Sequence, residues 1–356
     1  MDLPDSAPIL QLIEDFRRSK AMFAAVSLGA FDSLEHEAAD VPSLARKLGV
    51  KDEPLERLLD TCVALKLLRR KDGIYENQPI ASVYLCRDSD RSLAGYILYS
   101  NDVLFQLWTH LEDAIRDGGP RWTQALGTEG SIFDHFFRTD EAKRTFLRGM
   151  HGLGVLSSPK VVAAFPLERF RQMVDLGGGT GHLAVAACER YPELHAVVFD
   201  LPQVVETAKS HAARSRAASR VNTMAGDFFR DELPGADLFA LARILHDWPE
   251  AKIRQLLAKI YHRLPAGGGI LVAERLLHDD KTGPISSQLQ SLNMLVCTEG
   301  KERTLSEYRQ LLEEAGFREV RGSVTGCPLD AILAMKPQAA PVDAPGCSVS
   351  AEREST

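Results

Sequence analysis

The chain has 356 residues, of which 45% are hydrophobic and 26% are charged, and its formal net charge is −7. This length and hydrophobic content are sufficient for two domains with substantial cores. The negative charge argues against a nucleic-acid partner, and no apolar run is long enough to span a membrane. The six cysteines form no Cys-x-x-Cys pair, so neither a metal site nor a disulfide framework is predicted. We therefore expect a cytoplasmic protein.

The N-terminal part of the chain, residues 1–115, is predicted to be mostly helical. Apolar residues are so dense over 19–34 that we expect one helix there, buried on several sides. Two short helices, 41–50 and 53–60, are followed at 67–77 by an Asp-Gly pair between short strands, which predicts a hairpin. This combination is typical of a winged-helix unit. Because the segment has no ligand motif, a homodimer surface is favoured over DNA binding.

The rest of the chain divides by composition. Residues 116–170 are predicted to be connecting helices, and Gly118-Gly119-Pro120 marks a break among them. A catalytic domain is predicted for 171–337. The Ser/Glu-rich segment 338–356 is expected to be a disordered tail.

The most informative motif is Val-Asp-Leu-Gly-Gly-Gly-Thr-Gly-His-Leu at 174–183. It follows an apolar run and precedes a helical pattern, which predicts a strand, a glycine turn and a helix that together bind a nucleoside cofactor. Glycine lets the backbone turn tightly and lie against a ligand without a Cβ in the way. The turn lacks the Gly-x-Gly-x-x-Gly spacing of dinucleotide sites.

Two further acidic positions narrow the type of cofactor. A second strand, 195–200, ends in Asp200, where open α/β sheets place an acceptor for ribose hydroxyls. A second acidic loop contains Asp227 and is followed by a third strand at 236–243. Three acids around a small pocket suit a cation, and S-adenosylmethionine carries a sulfonium and an ammonium. We therefore predict a Rossmann-like α/β methyltransferase rather than a dehydrogenase.

His246 follows the third strand, at the edge of the sheet where ligands bind. A neutral imidazole there can remove a proton from a hydroxyl acceptor near physiological pH, although a helix-capping role also fits this position. Glu274 ends the next predicted strand, and Glu302 lies before a helix that starts near Leu305. Either carboxylate can orient the imidazole, and Glu302 also suits the N-terminal end of that helix.

With these residues the chain resembles the class I S-adenosylmethionine-dependent O-methyltransferases of the caffeate and acetylserotonin type over residues 10–337. The motifs that carry the resemblance are Asp175–Gly179, Gly226–Phe229, Leu245–Trp248, Ser291–Leu295 and Asp330–Ala334. The resemblance implies that Asp200 holds the ribose, that Asp227 and Phe228 hold the adenine, and that the N-terminal domain dimerises and lends residues to the partner's pocket.

The resemblance also assigns the remaining site residues. It implies His246 as the general base, with Glu274 and Glu302 beside it. The cofactor residues are Asp175, Gly177, Gly179, Asp200, Leu201, Gly226, Asp227, Phe228, Arg243 and Phe137. The acceptor residues are Met150, Asp247, Trp248, Asn293 and Met294.

Two positions depart from the family pattern. Where the acetylserotonin-type enzymes have a tyrosine and a tryptophan along the cofactor entrance, this chain has Phe137 and Gly154. We expect the missing indole to leave space at Gly154, which either weakens cofactor binding or admits a different acceptor.

The sequence thus predicts methyl transfer to a small aromatic hydroxyl of the N-acetylserotonin kind. A phenolic or polyketide acceptor is an alternative, and a dimeric cofactor-binding protein with little turnover is another.

Overall fold

The computed structural model describes residues 3–130 and 132–338, which form an N-terminal helical region and a C-terminal α/β domain. Apart from Gln338, the predicted tail lies outside the described residues. Among the described residues, no helix combines the length and apolar character needed to cross a membrane.

The N-terminal region consists of short helices and one hairpin. Its elements are α1 (Ala7–Leu28), α2 (Ala30–Leu34), α3 (Val41–Leu48), α4 (Asp52–Ala64), β1 (Leu68–Lys71), β2 (Ile74–Asn77), α5 (Pro79–Tyr84) and α6 (Ala94–Tyr99). The prediction of one helix over 19–34 is wrong, because Gly29 separates α1 from α2. Gly29 has φ +78°, a left-handed conformation that ends a helix and that glycine adopts at little cost.

The two short helices and the hairpin lie where the sequence predicts them. Strands β1 and β2 are antiparallel, and their turn contains Asp72 and Gly73, both with positive φ, as a two-residue hairpin turn requires. Arg70 of β1 donates hydrogen bonds to carboxylates of α4, with Nη1 2.9 Å from Asp60 Oδ1. Arg69 pairs with Glu76 on β2. Acids therefore neutralise two of the three basic side chains of the hairpin.

A mainly helical stretch, residues 100–163, links the N-terminal helices to the α/β domain. It contains a π-helical turn (Ser100–Leu104), α7 (Phe105–Trp108), α8 (Leu111–Asp117), α9 (Trp122–Leu126), α10 (Ile132–Phe136) and α11 (Asp140–Ala163). The long helix α11 packs closely on the N-terminal region through glycines. A Cβ on Gly95 would lie 2.8 Å from the backbone carbon of Arg148, and one on Gly152 would lie 2.4 Å from the carbonyl oxygen of Ser92. This close packing fixes α11 between the two parts of the chain.

The α/β domain alternates strands and helices. Its elements are β3 (Gln172–Leu176), α12 (His182–Arg190), β4 (His195–Asp200), α13 (Pro202–Ala212), β5 (Val221–Ala225), β6 (Leu238–Ala242), a 3₁₀ turn (Leu245–Asp247), α14 (Glu250–Arg263), β7 (Gly269–Glu274), β8 (Leu276–Leu277), α15 (Ile285–Cys297), β9 (Arg303–Thr304), α16 (Leu305–Glu314), β10 (Arg318–Ser323) and β11 (Asp330–Met335).

Seven of these strands form one sheet in the order β10-β11-β7-β6-β3-β4-β5. Strands β7, β6, β3, β4 and β5 are parallel. At one edge β11 pairs antiparallel with β7, and β10 pairs antiparallel with β11. All six residues of β7 are buried, as expected for a parallel strand with both faces covered. The predicted Rossmann-like fold class is confirmed.

The order of the strands in the sheet indicates where a ligand is expected to bind. The chain runs from β3 outward through β4 and β5, and then returns to β6 on the other side of β3. Open α/β sheets bind ligands at such a switch point, outside the carboxyl ends of the strands. Four of the parallel strands have a predicted site residue at or next to the carboxyl end: Asp175 in β3, Asp200 in β4, Arg243 after β6 and Glu274 in β7. These four residues therefore lie at the same edge of the sheet.

Candidate active site

A cavity of about 1,100 Å³ lies at the carboxyl edge of the sheet and reaches α10, α11 and α15. All ten predicted cofactor residues and all five predicted acceptor residues line it. His246 also lines the cavity. Glu274 and Glu302 are almost fully buried behind His246, with exposures of 0% and 1%.

The glycine turn forms one wall of the cavity. Gly177 and Gly179 have φ of +65° and +58°, a left-handed conformation that other residues rarely adopt. A Cβ on Gly177 would also lie 2.5 Å from Ile244 Cδ1. Across the cavity, a Cβ on Gly226 would lie 2.3 Å from the ring of Phe199. Glycine is therefore required at 179 for its backbone conformation, at 226 for space, and at 177 for both reasons.

Asp200 is held in a fixed orientation at the end of β4. Its Oδ2 accepts a hydrogen bond from the amide of Gly179 at 2.8 Å, and its Oδ1 accepts one from its neighbour Leu201 at 2.7 Å. Burial raises the pKa of Asp200 to about 6, although these two amides oppose the shift. Each carboxylate oxygen keeps a second lone pair, so the group is suited to accept two neighbouring hydroxyls of a ribose.

Two buried polar side chains at the cavity wall keep atoms without a hydrogen-bond partner. They are Oδ1 of Asp175 and Nε and Nη2 of Arg243. Burial raises the pKa of Asp175 to about 7 and lowers that of Arg243. Buried polar groups are normally paired, so these atoms fit a polar ligand in the cavity. The carboxylates of Asp175, Asp200 and Asp227 suit a nucleoside that carries positive charge, and the guanidinium of Arg243 suits a hydrogen-bond acceptor on the same ligand.

The imidazole of His246 is held by carboxylates on its inner side. Its Nδ1 lies 2.7 Å from Glu302 Oε1 and 3.5 Å from Glu274 Oε2. Asp247 Oδ1 is 3.6 Å from Nε2. Because the glutamates occupy the Nδ1 side, Nε2 is the nitrogen left for a ligand in the cavity.

The sequence left open which glutamate orients the ring, and the geometry separates the two. Glu302 makes the short contact with the imidazole. Glu274 instead accepts the backbone amides of Ile244 and Leu245 through Oε1, at 3.0 and 2.9 Å, and so fixes the turn that carries His246. Glu302 is therefore the ring-orienting carboxylate and Glu274 mainly holds the backbone.

These acids change the protonation of the ring. Burial disfavours the charged imidazole, but Glu274, Glu302 and Asp247 outweigh it and raise the pKa of His246 to about 10.

Ligating atoms of His246, Glu274 and Glu302 lie within 4.8 Å of one another, close enough to be considered as a metal site. The 2.7 Å separation of Nδ1 from Glu302 Oε1 is a hydrogen bond, however, and leaves no room for an ion between these atoms. That the site needs no metal stays a prediction.

The loop before α16 also contacts the 3₁₀ turn that carries His246, and the sequence analysis did not predict this contact. Arg303 is 1% exposed, and its guanidinium donates to the carbonyl oxygens of Leu245 at 3.4 Å and Trp248 at 3.2 Å. A Cβ on Gly300 would lie 2.1 Å from the carbonyl oxygen of His246. The turn is thus held at its amides by Glu274 and at its carbonyls by Arg303.

The acceptor end of the cavity is rich in aromatic side chains that sequence reasoning missed. Phe136 stacks on Phe146 at 4.2 Å between ring centroids, and Phe133 lies 5.9 Å from Trp248. Further lining residues of the cavity were also missed, among them Tyr96, Tyr99, Thr180, His182, Ile244, Cys297 and Thr298. Asn293 Oδ1 accepts a hydrogen bond from Trp108 Nε1 at 2.9 Å. The phenylalanines at 133, 136 and 137 were the available signal for this aromatic end.

The expectation of free space at Gly154 is wrong. A Cβ on Gly154 would lie 2.2 Å from Cδ2 and 2.3 Å from Nε2 of His182. The ring of His182 therefore already occupies the space that the missing side chain would leave.

The α/β fold and the cavity at the carboxyl edge of its sheet are typical of proteins that bind a nucleoside cofactor. Comparison with protein-family models identifies the family. A model described as the O-methyltransferase domain matches residues 108–318, and one described as the O-methyltransferase dimerisation domain matches residues 10–87. The chain therefore belongs to the O-methyltransferase family.

Individual relatives agree with this assignment. Acetylserotonin O-methyltransferase of Bos taurus is 44% identical over 328 residues, which cover 90% of this chain and 95% of that protein. The Gallus gallus enzyme of the same name is 41% identical over 94% of this chain and 99% of that protein. The crystal structure of human N-acetylserotonin methyltransferase in complex with S-adenosylmethionine superposes with a TM-score of 0.90 and 39% identity, over 95% of this chain and 100% of that one. The predicted enzyme class, an S-adenosylmethionine-dependent O-methyltransferase, is confirmed.

Proposed function

We propose that this enzyme transfers the methyl group of S-adenosylmethionine to the hydroxyl of a small aromatic acceptor, with N-acetylserotonin as the first candidate. The observation that carries the proposal is the position of His246, which lines the same cavity as both the carboxylate-rich cofactor wall and the aromatic end. The names of the bovine and chicken relatives support this choice of acceptor.

The cofactor side of the cavity suits the donor. In this proposal Asp200 binds the ribose hydroxyls, Asp227 and Phe228 bind the adenine, and the positive charge lies near Asp175. The remaining cofactor residues are Gly177, Gly179, Leu201, Gly226, Arg243 and Phe137. The bound cofactor supplies an electrophilic methyl group on a sulfonium.

The acceptor side suits a flat aromatic molecule. Phenylalanine and tryptophan rings favour stacked or edge-on contacts with such a ligand. Met150, Met294 and Trp248 contribute apolar surface, while Asn293 and Asp247 provide polar groups that fix its orientation. A phenolic or polyketide acceptor is the second candidate, because the same aromatic wall accommodates it.

His246 is the proposed general base. Its Nε2 takes the proton of the acceptor hydroxyl as the oxygen–carbon bond forms and the sulfur–carbon bond breaks. Glu302 holds the ring through Nδ1 and stabilises the imidazolium that results. Holding the hydroxyl and the methyl group in line provides the rest of the rate acceleration.

The variant His246→Ala tests this role. Methyl transfer from labelled S-adenosylmethionine to a panel of N-acetylserotonin, caffeate and flavonoids is expected to fall by about 10²-fold or more. The affinity for S-adenosylhomocysteine is expected to stay unchanged. Activity that survives the substitution would exclude His246 as the base. A wild-type protein that binds cofactor but methylates nothing on the panel would favour a cofactor-binding protein with little turnover.

We also propose a homodimer formed through the N-terminal region, residues 1–115, which precedes connecting helices at 116–170 and a catalytic domain at 171–337. The match of residues 10–87 to a dimerisation-domain family supports it. Several large apolar side chains of α1 are exposed in the single chain and are available for a partner copy.

A further inference from the structure

His182 and Gly154 form a contact that no assigned role explains. His182 is the first residue of α12, directly after the glycine turn, and it lines the large cavity. Gly154 lies in the interior of α11, where glycine costs helix stability compared with alanine. A Cβ at 154 would lie 2.2 Å from the imidazole, so glycine is the residue that admits the ring.

The ring is also held in place. Ser158, one helical turn after Gly154 on the same face of α11, has its Oγ 2.8 Å from His182 Nδ1. A second cavity of about 170 Å³ lies on the outer side, and Thr180 and His182 line both cavities. The imidazole is therefore a fixed part of the wall between them rather than a freely rotating side chain.

The charge state of the ring suits a cationic ligand. Burial, together with His151, Arg243 and His211, lowers the pKa of His182 to about 3. The ring is thus neutral at physiological pH and does not repel a sulfonium or an ammonium. It offers a polarisable aromatic surface beside the glycine turn.

We propose that His182 is a cofactor-contacting side chain of this enzyme and that Gly154 is a glycine because it makes room for that ring. The inference rests on the proposed function, in which the cavity is the S-adenosylmethionine site. A side chain at position 154 would occupy the space that this ring fills, so a ring can be supplied either from α12 or from α11, and the two positions form an exchangeable pair.

Cofactor binding tests the proposal without relying on activity. Calorimetry with S-adenosylhomocysteine is expected to give a roughly 3- to 10-fold weaker affinity for His182→Ala, the range of a lost aromatic contact. The double variant His182→Ala/Gly154→Trp is expected to return to within about twofold of the wild type. His211→Ala is the matched control, because His211 lines only the outer cavity, and it is expected to bind as the wild type does.

A tryptophan in a helix interior can itself reduce stability, so two further comparisons keep the test decisive. His182→Phe retains a ring and is expected to bind more tightly than His182→Ala. Gly154→Ala is expected to lower the melting temperature of the wild type, because its Cβ meets the imidazole, and to raise that of His182→Ala, where only the helix propensity remains.

The outcomes separate the two proposals. Wild-type affinity in His182→Ala, or equal affinities of His182→Phe and His182→Ala, would overturn the role of His182. Gly154→Ala with the same effect in both backgrounds would overturn the pairing. A wild-type protein that binds no S-adenosylhomocysteine would instead overturn the proposed function, and the inference with it.

Discussion

At His246 the neighbouring carboxylates favour the protonated ring, whereas the proposed role as general base requires the neutral ring. Three neighbouring carboxylates raise its pKa to about 10, so the ring carries a proton at neutral pH. A general base must be neutral before it accepts a proton. The same acids stabilise the imidazolium once the proton has been transferred, so the arrangement favours the product of the proton transfer at the expense of the neutral ring.

This balance predicts an alkaline pH dependence. Because the neutral fraction of His246 grows as pH rises toward 10, kcat/KM is expected to increase between pH 7 and pH 10. The variant Glu302→Gln removes one negative charge but keeps a hydrogen-bond acceptor, so the pKa of His246 falls and the rise moves to lower pH. Measured pH profiles of the two proteins check this.

Glu313→Gln is the matched control for this profile, because Glu313 is exposed on α16. Its profile is expected to match that of the wild type. A wild-type rate that stays flat above pH 7, or an inflection that does not move in Glu302→Gln, would contradict the assignment of the ionisation to His246.

At the scale of elements, the decisive contact is between the 3₁₀ turn after β6 and the loop before α16. The turn has little regular structure of its own. It is fixed by Glu274 at the end of β7 and by Arg303 in β9. The capping box of α16 also fixes the end of this loop, because Thr304 and Glu307 exchange hydrogen bonds there. The position of His246, the proposed base, thus depends on three elements that are far apart in sequence.

Gly300→Ala tests this dependence. Its Cβ would meet backbone atoms, 2.1 Å from the oxygen of His246 and 2.6 Å from the amide of Trp248, so the turn must move. A displacement near 1 Å is expected to reduce kcat by on the order of 10²-fold, and the strain is expected to lower stability by about 1–3 kcal/mol. Cofactor affinity, measured by calorimetry, is expected to change little.

Gly235→Ala is the control, because its Cβ would meet only the far end of the Arg263 side chain, at 3.5 Å. It is expected to leave kcat and stability near those of the wild type. Equal kcat for Gly300→Ala and Gly235→Ala would mean that the loop does not fix the catalytic turn.

At the scale of the whole molecule, the N-terminal half of α1 leaves large apolar side chains exposed. Five of them are more than half exposed, namely Ile9, Leu10, Leu12, Ile13 and Phe16. Complete burial of a fully exposed side chain of this size contributes about 1.5–3 kcal/mol, so covering the exposed parts of these five in a partner surface contributes a fraction of that for each. The proposed homodimer explains why this helix carries them.

Ile13→Glu/Phe16→Glu is therefore expected to convert a dimer into a monomer, as measured by light scattering after size exclusion. Methyl transfer is expected to fall as well, since the resemblance implies that the partner lends residues to the pocket. Gln11→Glu adds a charge to the same helix at a polar position and is expected to remain dimeric. A wild-type monomer with full activity would contradict the dimer proposal.

The sequence by itself determined the fold class and predicted residues that line one wall of the cavity. Alternating strand and helix patterns require a parallel sheet, and the glycine turn and Asp200 are local signals at the ends of single strands. The parallel topology alone brings those ends together. For this reason Asp175, Asp200, Arg243 and His246 were all predicted and all line one cavity.

Only the tertiary structure decided how His246, the proposed base, is held and what fills the space beside Gly154. Glu302 and Glu274 are equivalent in the sequence, and distances across the fold separate the ring-orienting carboxylate from the backbone-holding one. Gly154 was expected to leave a gap, but α12 packs on α11 so that His182 occupies it. Both results depend on contacts between residues far apart in the chain, where close packing, rather than local propensity, decides which atoms meet.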